Sequence, residues 1–189
     1  MTGDWFAESV EALSGGREDR CSVHDGPHRR LTRQIRLDGR PVPDCPAPPW
    51  SVSFWFTVFD ADAYRNIPTY CVGDDELSRS VVAQGSWEPW ETAVTLDILC
   101  TSDPGVVVDF GCHVGWYSIL AATVGREVVA VDADREHVDV LEATVAANTL
   151  GDWVHVARGW VDAATAPFTA GPHVRFVKID LEGGDVDAV

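Results

Sequence analysis

The chain has 189 residues, 46% of them hydrophobic and 10% aromatic, which is enough to fill one sizeable core. Thirty acidic against fourteen basic residues leave a formal charge of −16, which disfavours a hold on nucleic acid or on an anionic membrane and favours a small or neutral partner. Five cysteines without a CxxC pair read as reduced thiols of a cytoplasmic protein, and no apolar run approaches the roughly 20 residues that span a bilayer.

Residues 1–50 are polar and turn-rich, with a cluster at Pro41, Pro43, Pro46, Pro48 and Pro49, and are expected to be an irregular extension with at most a short helix near Trp5 to Leu13. Residues 51–59, SVSFWFTVF, are β-branched and aromatic and predict a strand. An acidic start at Asp74 and a stop at Gly85 predict a short helix. A second helix follows Pro89 towards Cys100, with Trp90, Val94, Leu96 and Leu99 available to pack it.

From Gly105 the pattern becomes an alternation of strands and helices. Strands are expected at 106–110, 127–132, 153–161 and 174–181, and helices at 116–124, closed by Gly125, and from an Asp134 cap to Gly151. Near-continuous apolar strands in this order predict a mostly parallel α/β sheet with helices on both faces, a Rossmann-like architecture. Three segments follow: the Pro-rich extension 1–50, a strand and helix appendage 51–104, and a cofactor-binding core 105–189. A doubly wound domain carries more strands than this one, so a C-terminally truncated core is expected.

In such sheets ligands sit beyond the carboxyl ends of the strands, and the first strand-to-helix turn is the usual cradle. That turn runs from Asp109 to Gly115. A dinucleotide site wants three glycines as GxGxxG, with pyrophosphate on the helix N-terminus, where a carboxylate is repulsive. Here only Gly111 and Gly115 are offered, with Asp109 just before them. A ligand with cationic groups and no phosphate fits better, and S-adenosyl-L-methionine has both an ammonium and a sulfonium. Gly111 allows close backbone approach to its methionyl part, Asp109 accepts from its ammonium directly or through water, and Asp132, 23 positions on, takes the ribose hydroxyls. A nicotinamide-dependent Rossmann oxidoreductase shares Asp132 and is the rival enzyme class.

These stretches, VVVDFGCHVGWYSILAA, VVAVDADREHVDVLEATVAAN and FVKIDLEGGDVDAV, resemble the FkbM family of S-adenosylmethionine-dependent methyltransferases. The family's Gly-Ala-Asn-x-Gly reads Gly111-Cys112-His113-Val114-Gly115, so Cys112 and His113 depart from Ala and Asn. The acid of its Phe-Glu-Pro is Asp132, its late-helix asparagines are Thr144 and Asn148, and its Lys-Ile-Asp-x-Glu-Gly is intact as Lys178 to Gly183. Gly85, Trp87, Glu88 and Pro89 match its Gly-x-aromatic-Glu-Pro. The resemblance covers about residues 74–189 and implies methyl transfer, commonly to a hydroxyl of a sugar or another small molecule. It places Glu88 and His113 with Asp109, Gly111, Gly115 and Asp132 around the cofactor, and Trp87 and Trp90 as candidates for a wall over it.

A base for a weakly nucleophilic hydroxyl belongs at the end of the last strand. Asp180 and Glu182 are the candidates, and Lys178, sharing a strand face with Asp180, can hold it ionised. An internal Lys178–Asp180 pair that only steadies the sheet is the competing reading. Asp162 is a candidate for the adenine amino group, although Trp160 stands where many methyltransferases place that acid. Cys21, His24 and His28 lack a fourth ligand at a structural-zinc interval, so no metal is expected, and His155 and His173 read as surface residues. A non-catalytic cofactor-binding fragment is the alternative outside the enzyme classes.

Overall fold

The computed structural model describes residues 30–39, 50–59, 76–161 and 173–181. The expected short helix near Trp5, the Cys21, His24 and His28 cluster, Asp162, Glu182 and Gly183 all lie outside the described residues. Two strands come first, β1 (Arg30–Asp38) and β2 (Ser51–Phe59), followed by helices α1 (Glu76–Gln84) and α2 (Pro89–Thr101). An alternating core follows: β3 (Val106–Phe110), α3 (Trp116–Thr123), β4 (Glu127–Asp132), α4 (Arg135–Ala147), β5 (Val154–Arg158) and β6 (Val174–Ile179).

The core strands form one parallel sheet in the order β5-β4-β3-β6. β3 is buried along its whole length, which is why it reads Val-Val-Val-Asp-Phe without polar alternation. Chain order reverses between β3 and β6, so the crevice of a doubly wound sheet opens at the carboxyl ends of these two strands. Parallel pairing sets Asp109 beside Lys178 in register. Two apolar clusters flank the sheet. The larger joins Val107, Val128, Ala130 and Val154 to residues of all four described helices and of the β1–β2 pair. The smaller gathers Val106, Val108, Phe110, Val129, Val131 and Ala157, with Leu181 and β6 residues against it.

Residues 30–38, expected to be irregular, form β1, which pairs antiparallel with β2 along all nine residues of each. Arginines conceal the strand, because Ile35 is buried in an otherwise exposed or half-exposed run and its alternation is thin. β2, expected from its β-branched and aromatic residues, alternates over its first six residues, burying Val52, Phe54 and Phe56, and then buries Thr57, Val58 and Phe59 together. Trp116 of α3 packs edge-on to Phe54 and Phe56, with ring centroids 5.8 and 5.1 Å apart. The edge of β2 away from β1 is completed by side chains. Asn148 accepts from the Trp55 N–H at 2.7 Å and donates to its carbonyl at 2.6 Å. Thr144 accepts from the Thr57 N–H at 3.0 Å, and Ser78 from the Phe59 N–H at 3.1 Å. Thr144 of α4, Asn148 at its C-cap and Ser78 of α1 therefore dock the hairpin and cover an edge that would otherwise be free to pair with another chain.

None of the four described helices carries a basic residue in its last turn, and arginines from elsewhere meet the last carbonyls of α1 and α2 instead. Arg33 of β1 donates to Val81 and Val82 at the end of α1, and the buried Arg126 donates to Leu99, Ser102 and Asp103 around the end of α2. α2 packs through Leu96 and Leu99, as expected, but Trp90 and Val94 face solvent, 66% and 38% exposed. Among the described residues no helix is long and apolar enough to cross a membrane.

Candidate active site at the carboxyl ends of the strands

The turn after β3 closes upon the end of β4. Gly111 and Cys112 both donate their N–H groups to the Val131 carbonyl, at 2.9 and 3.0 Å. His113 N–H donates to Asp132 Oδ2 at 2.7 Å, and Gly115 N–H donates to the Cys112 carbonyl at 2.8 Å. Four of the five turn donors are thus used inside the protein. A pyrophosphate cradle works by presenting those N–H groups to the ligand, so this turn is not built as one.

The two glycines answer to packing. Gly111 has φ +68°, and a Cβ there would run into the Asp180 carbonyl; Gly115 has φ +86°, and a Cβ would meet the Leu141 side chain. Gly111 was expected to admit a ligand, yet what approaches its Cα is the backbone at the end of β6. His113 also sits in the left-handed region, at φ 52°. Histidine, asparagine and aspartate enter that region more readily than other side chains, which accounts physically for a His at this position.

Asp109 is 1% exposed, so direct contact with a ligand, one of the two routes expected for it, has no open surface. Its Oδ2 accepts from Ser118 Oγ at 2.6 Å, and Lys178 Nζ lies 3.6 Å from Oδ1. Lys178 Nζ also donates to the Gly111 carbonyl at 2.9 Å and lies 3.5 Å from Asp180 Oδ2. The sole lysine of the chain thereby ties the turn, β3 and β6 together. Burial works against its charge, but Asp109 and then Asp180 outweigh burial and hold its pKa above the ordinary lysine value. Cys112, buried beneath the turn, has its thiol pushed well up, first by burial and then by Asp109 and Asp132, so it stays protonated and inert.

Asp132 ends β4 as expected. Its Oδ1 accepts from the Asp134 N–H at 2.9 Å and faces His137 Nδ1 at 3.2 Å. Burial would raise its pKa, yet His137 and the two backbone donors bring it below the usual carboxylate range, so it is ionised at neutral pH. The imidazoles of His113 and His137 lie against each other with centroids 3.9 Å apart and planes tilted by 51°.

Glu88 precedes α2 at φ 39°, one of three non-glycine residues with positive φ among the described residues, His113 being another. Backbone held in this region costs of order 1–3 kcal/mol and concentrates at functional sites. Tyr117 Oη donates to Glu88 Oε2 at 2.6 Å, and Lys178 Nζ lies 5.7 Å from the centre of the Tyr117 ring. Burial and then the Glu88 hydrogen bond push the phenol far above its ordinary value, so it remains neutral. Glu88, Tyr117, Lys178, Asp109 and Asp180 form one connected group.

The structure brings together the expected Glu88, Asp109, Gly111, His113, Gly115, Asp132, Lys178 and Asp180. Trp87 is half-buried against the core, and Trp90 points to solvent away from it. Tyr117, Ser118 and His137 were not singled out from the sequence. Ser118 and Asp109 are nine residues apart, a spacing with no period across a strand, turn and helix. His137 is five residues from its partner Asp132, across the end of β4 and the first turn of α4, a spacing that follows no strand or helix period. Among the described residues, no group of three or more His, Cys, Asp or Glu is placed to hold a metal ion.

No protein-family model and no curated protein matches the chain. Among solved structures it is similar to a precorrin-6Y C5,15-methyltransferase from Geobacter metallireducens, at 21% identity and TM-score 0.41 over 52% of this chain and 53% of that one. It is similar to an O-methyltransferase from Bacillus cereus in complex with SAH, at 18% identity and TM-score 0.43 over 56% of this chain and 53% of that one. A precorrin 8W decarboxylase from Methanobacterium thermoautotrophicum matches at 22% identity and TM-score 0.42 over 51% of this chain and 50% of that one. The matched segment spans about half the length of each of these chains.

Proposed function

We propose that the chain carries the S-adenosyl-L-methionine site of a methyltransferase of the FkbM type, acting on a hydroxyl of a sugar or another small molecule. The observation that supports this best is a turn whose N–H groups are consumed internally, set among an excess of carboxylates. Of four carboxylates, Asp109 and Asp180 lie against the ammonium of Lys178, Asp132 is held by backbone N–H groups and His137, and Glu88 accepts from the neutral Tyr117 phenol. Such a site repels a pyrophosphate and attracts a cationic ligand, which weighs against the nicotinamide-dependent oxidoreductase.

The residues present fit this cofactor. Asp132 is an ionised acceptor at the end of β4, where a ribose belongs. The Glu88 carboxylate, which accepts from Tyr117 Oη, supplies an acceptor for an ammonium. When bound, S-adenosylmethionine supplies the electrophilic methyl group. Asp180, 63% exposed at its side chain, is the described carboxylate open to an acceptor. It takes the acceptor's proton onto a carboxylate oxygen as the hydroxyl oxygen attacks, and Lys178 Nζ, 3.5 Å from Asp180 Oδ2, orients that carboxylate. Glu182, two residues on, is the second candidate for the same proton.

Isothermal titration with S-adenosylhomocysteine and with NAD tests the reading. Binding of the former with no heat from the latter is expected, and the reverse result overturns it. With an acceptor in hand, Asp180→Asn and Glu182→Gln together abolish turnover while leaving S-adenosylhomocysteine affinity within about threefold, since neither is assigned to cofactor binding. Binding without turnover of any hydroxyl acceptor supports the non-catalytic fragment instead.

A further inference from the structure

We infer that His137 restricts Asp132 to a single ligand hydroxyl, and so determines which half of a ribose diol the site reads. The inference rests on the cofactor reading above and deepens it. A carboxylate offers about four lone-pair directions, and a ribose held by one normally donates from both neighbouring hydroxyls. At Asp132 three directions are taken within the protein: Asp134 N–H and His137 Nδ1 on Oδ1, and His113 N–H on Oδ2. The remaining direction is on Oδ2. The carboxylate is also narrowly presented, with its side chain 11% exposed.

Two of the three donors belong to the backbone and cannot be exchanged by substitution. Asp134 is the N-cap of α4, its own side chain accepting from Glu136 N–H, and His113 is held in its left-handed turn. His137 is the one side-chain donor. It rises from the first turn of α4, and its ring is lodged between those of His113, at 3.9 Å between centroids, and Phe59, at 6.1 Å. A hydroxyl that approaches Oδ1 therefore meets an oxygen with both directions filled, whereas one that approaches Oδ2 finds a place.

The test compares S-adenosylhomocysteine with its 2′-deoxy and 3′-deoxy forms by titration calorimetry on the full chain. One deoxy form of the two is expected to lose roughly ten- to a hundredfold in affinity, the worth of a hydrogen bond to a charged group, and the other less than about threefold. In His137→Leu both deoxy forms should lose comparably, because Oδ1 is released. His137→Asn should restore the one-sided pattern, since the Asn amide nitrogen lies where the imidazole Nδ1 did. Equal losses in the wild type, with S-adenosylhomocysteine itself binding, overturn this inference and leave the cofactor reading standing. A one-sided pattern that persists in a folded His137→Leu removes the role from His137. If no form binds, both the inference and the cofactor reading fail. Should His137→Leu not fold, His137→Ala takes its place in the same comparison, and equal losses in the wild type still overturn the inference.

Discussion

Replacing Lys178 by methionine removes the one ammonium beside a carboxylate that is 1% exposed. Removing one partner of a buried pair costs about 3–5 kcal/mol, because the other charge is left without compensation. Lys178 keeps 18% of its side chain exposed, and Ser118 continues to hydrogen-bond Asp109, so the lower end, about 3 kcal/mol, is expected. That is more than a hundredfold in the folding equilibrium. In the wild type the raised pKa of Lys178 means that its contribution is complete below the ordinary lysine value and is lost only as pH climbs through the raised one, so it is constant between pH 5 and 9. Urea unfolding followed by tryptophan fluorescence at pH 8 measures the deficit of the variant. Lys178→Met with Asp109→Asn separates an uncompensated charge from lost packing and should recover most of the loss, since the buried charge is gone. A deficit below about 1 kcal/mol, or one unrelieved in the double variant, refutes the argument.

Gly111→Ala should cost more than Gly125→Ala. Both residues have positive φ, but only at Gly111 does a Cβ meet backbone, so Gly125→Ala isolates the conformational cost of about 1–2 kcal/mol and Gly111→Ala exceeds it; equal thermal shifts would contradict this. Asn148→Ala loses the bonds to both Trp55 backbone groups, about 1–3 kcal/mol. Asn148→Asp keeps the acceptor for Trp55 N–H but turns an anion on the Trp55 and Thr144 carbonyls, and should be no more stable than Asn148→Ala at pH 7 in calorimetric melts. Alkylation at pH 8 with peptide mapping should leave Cys112 unmodified in the native protein and modified in urea, because burial, Asp109 and Asp132 keep its thiol protonated. Rapid native labelling of Cys112 would show that the turn opens.

The alternating half of the chain was legible because buried parallel strands and their helices leave coarse apolar signals. Strands 106–110 and 127–132 fall where the apolar runs predict, and Asp134 caps α4 by accepting from Glu136 N–H. β1 was hidden because an exposed strand of a two-stranded pair buries little, and arginines every third residue, at Arg30, Arg33 and Arg36, obscure its period of two. At the site, the residue types were readable but their partners were not. Asp109 and Lys178 are 69 positions apart, and nothing local says that β6 lies next to β3 instead of beyond β5.

Taken by itself, the sequence determined the α/β alternation, the acid-bearing glycine turn and the set of carboxylates and the lone lysine that could carry chemistry. Periodicity, turn residues and charge are local properties, and local properties survive in one dimension. The tertiary structure decided which of those groups are available to a ligand. Strand order put Lys178 against Asp109 and buried that carboxylate, the close approach of β6 assigned Gly111 to packing, and the fold of the turn onto β4 spent its N–H groups on Val131 and Asp132. Burial and long-range pairing depend on which segments meet in space, and that is where an expected ligand contact becomes an internal ion pair.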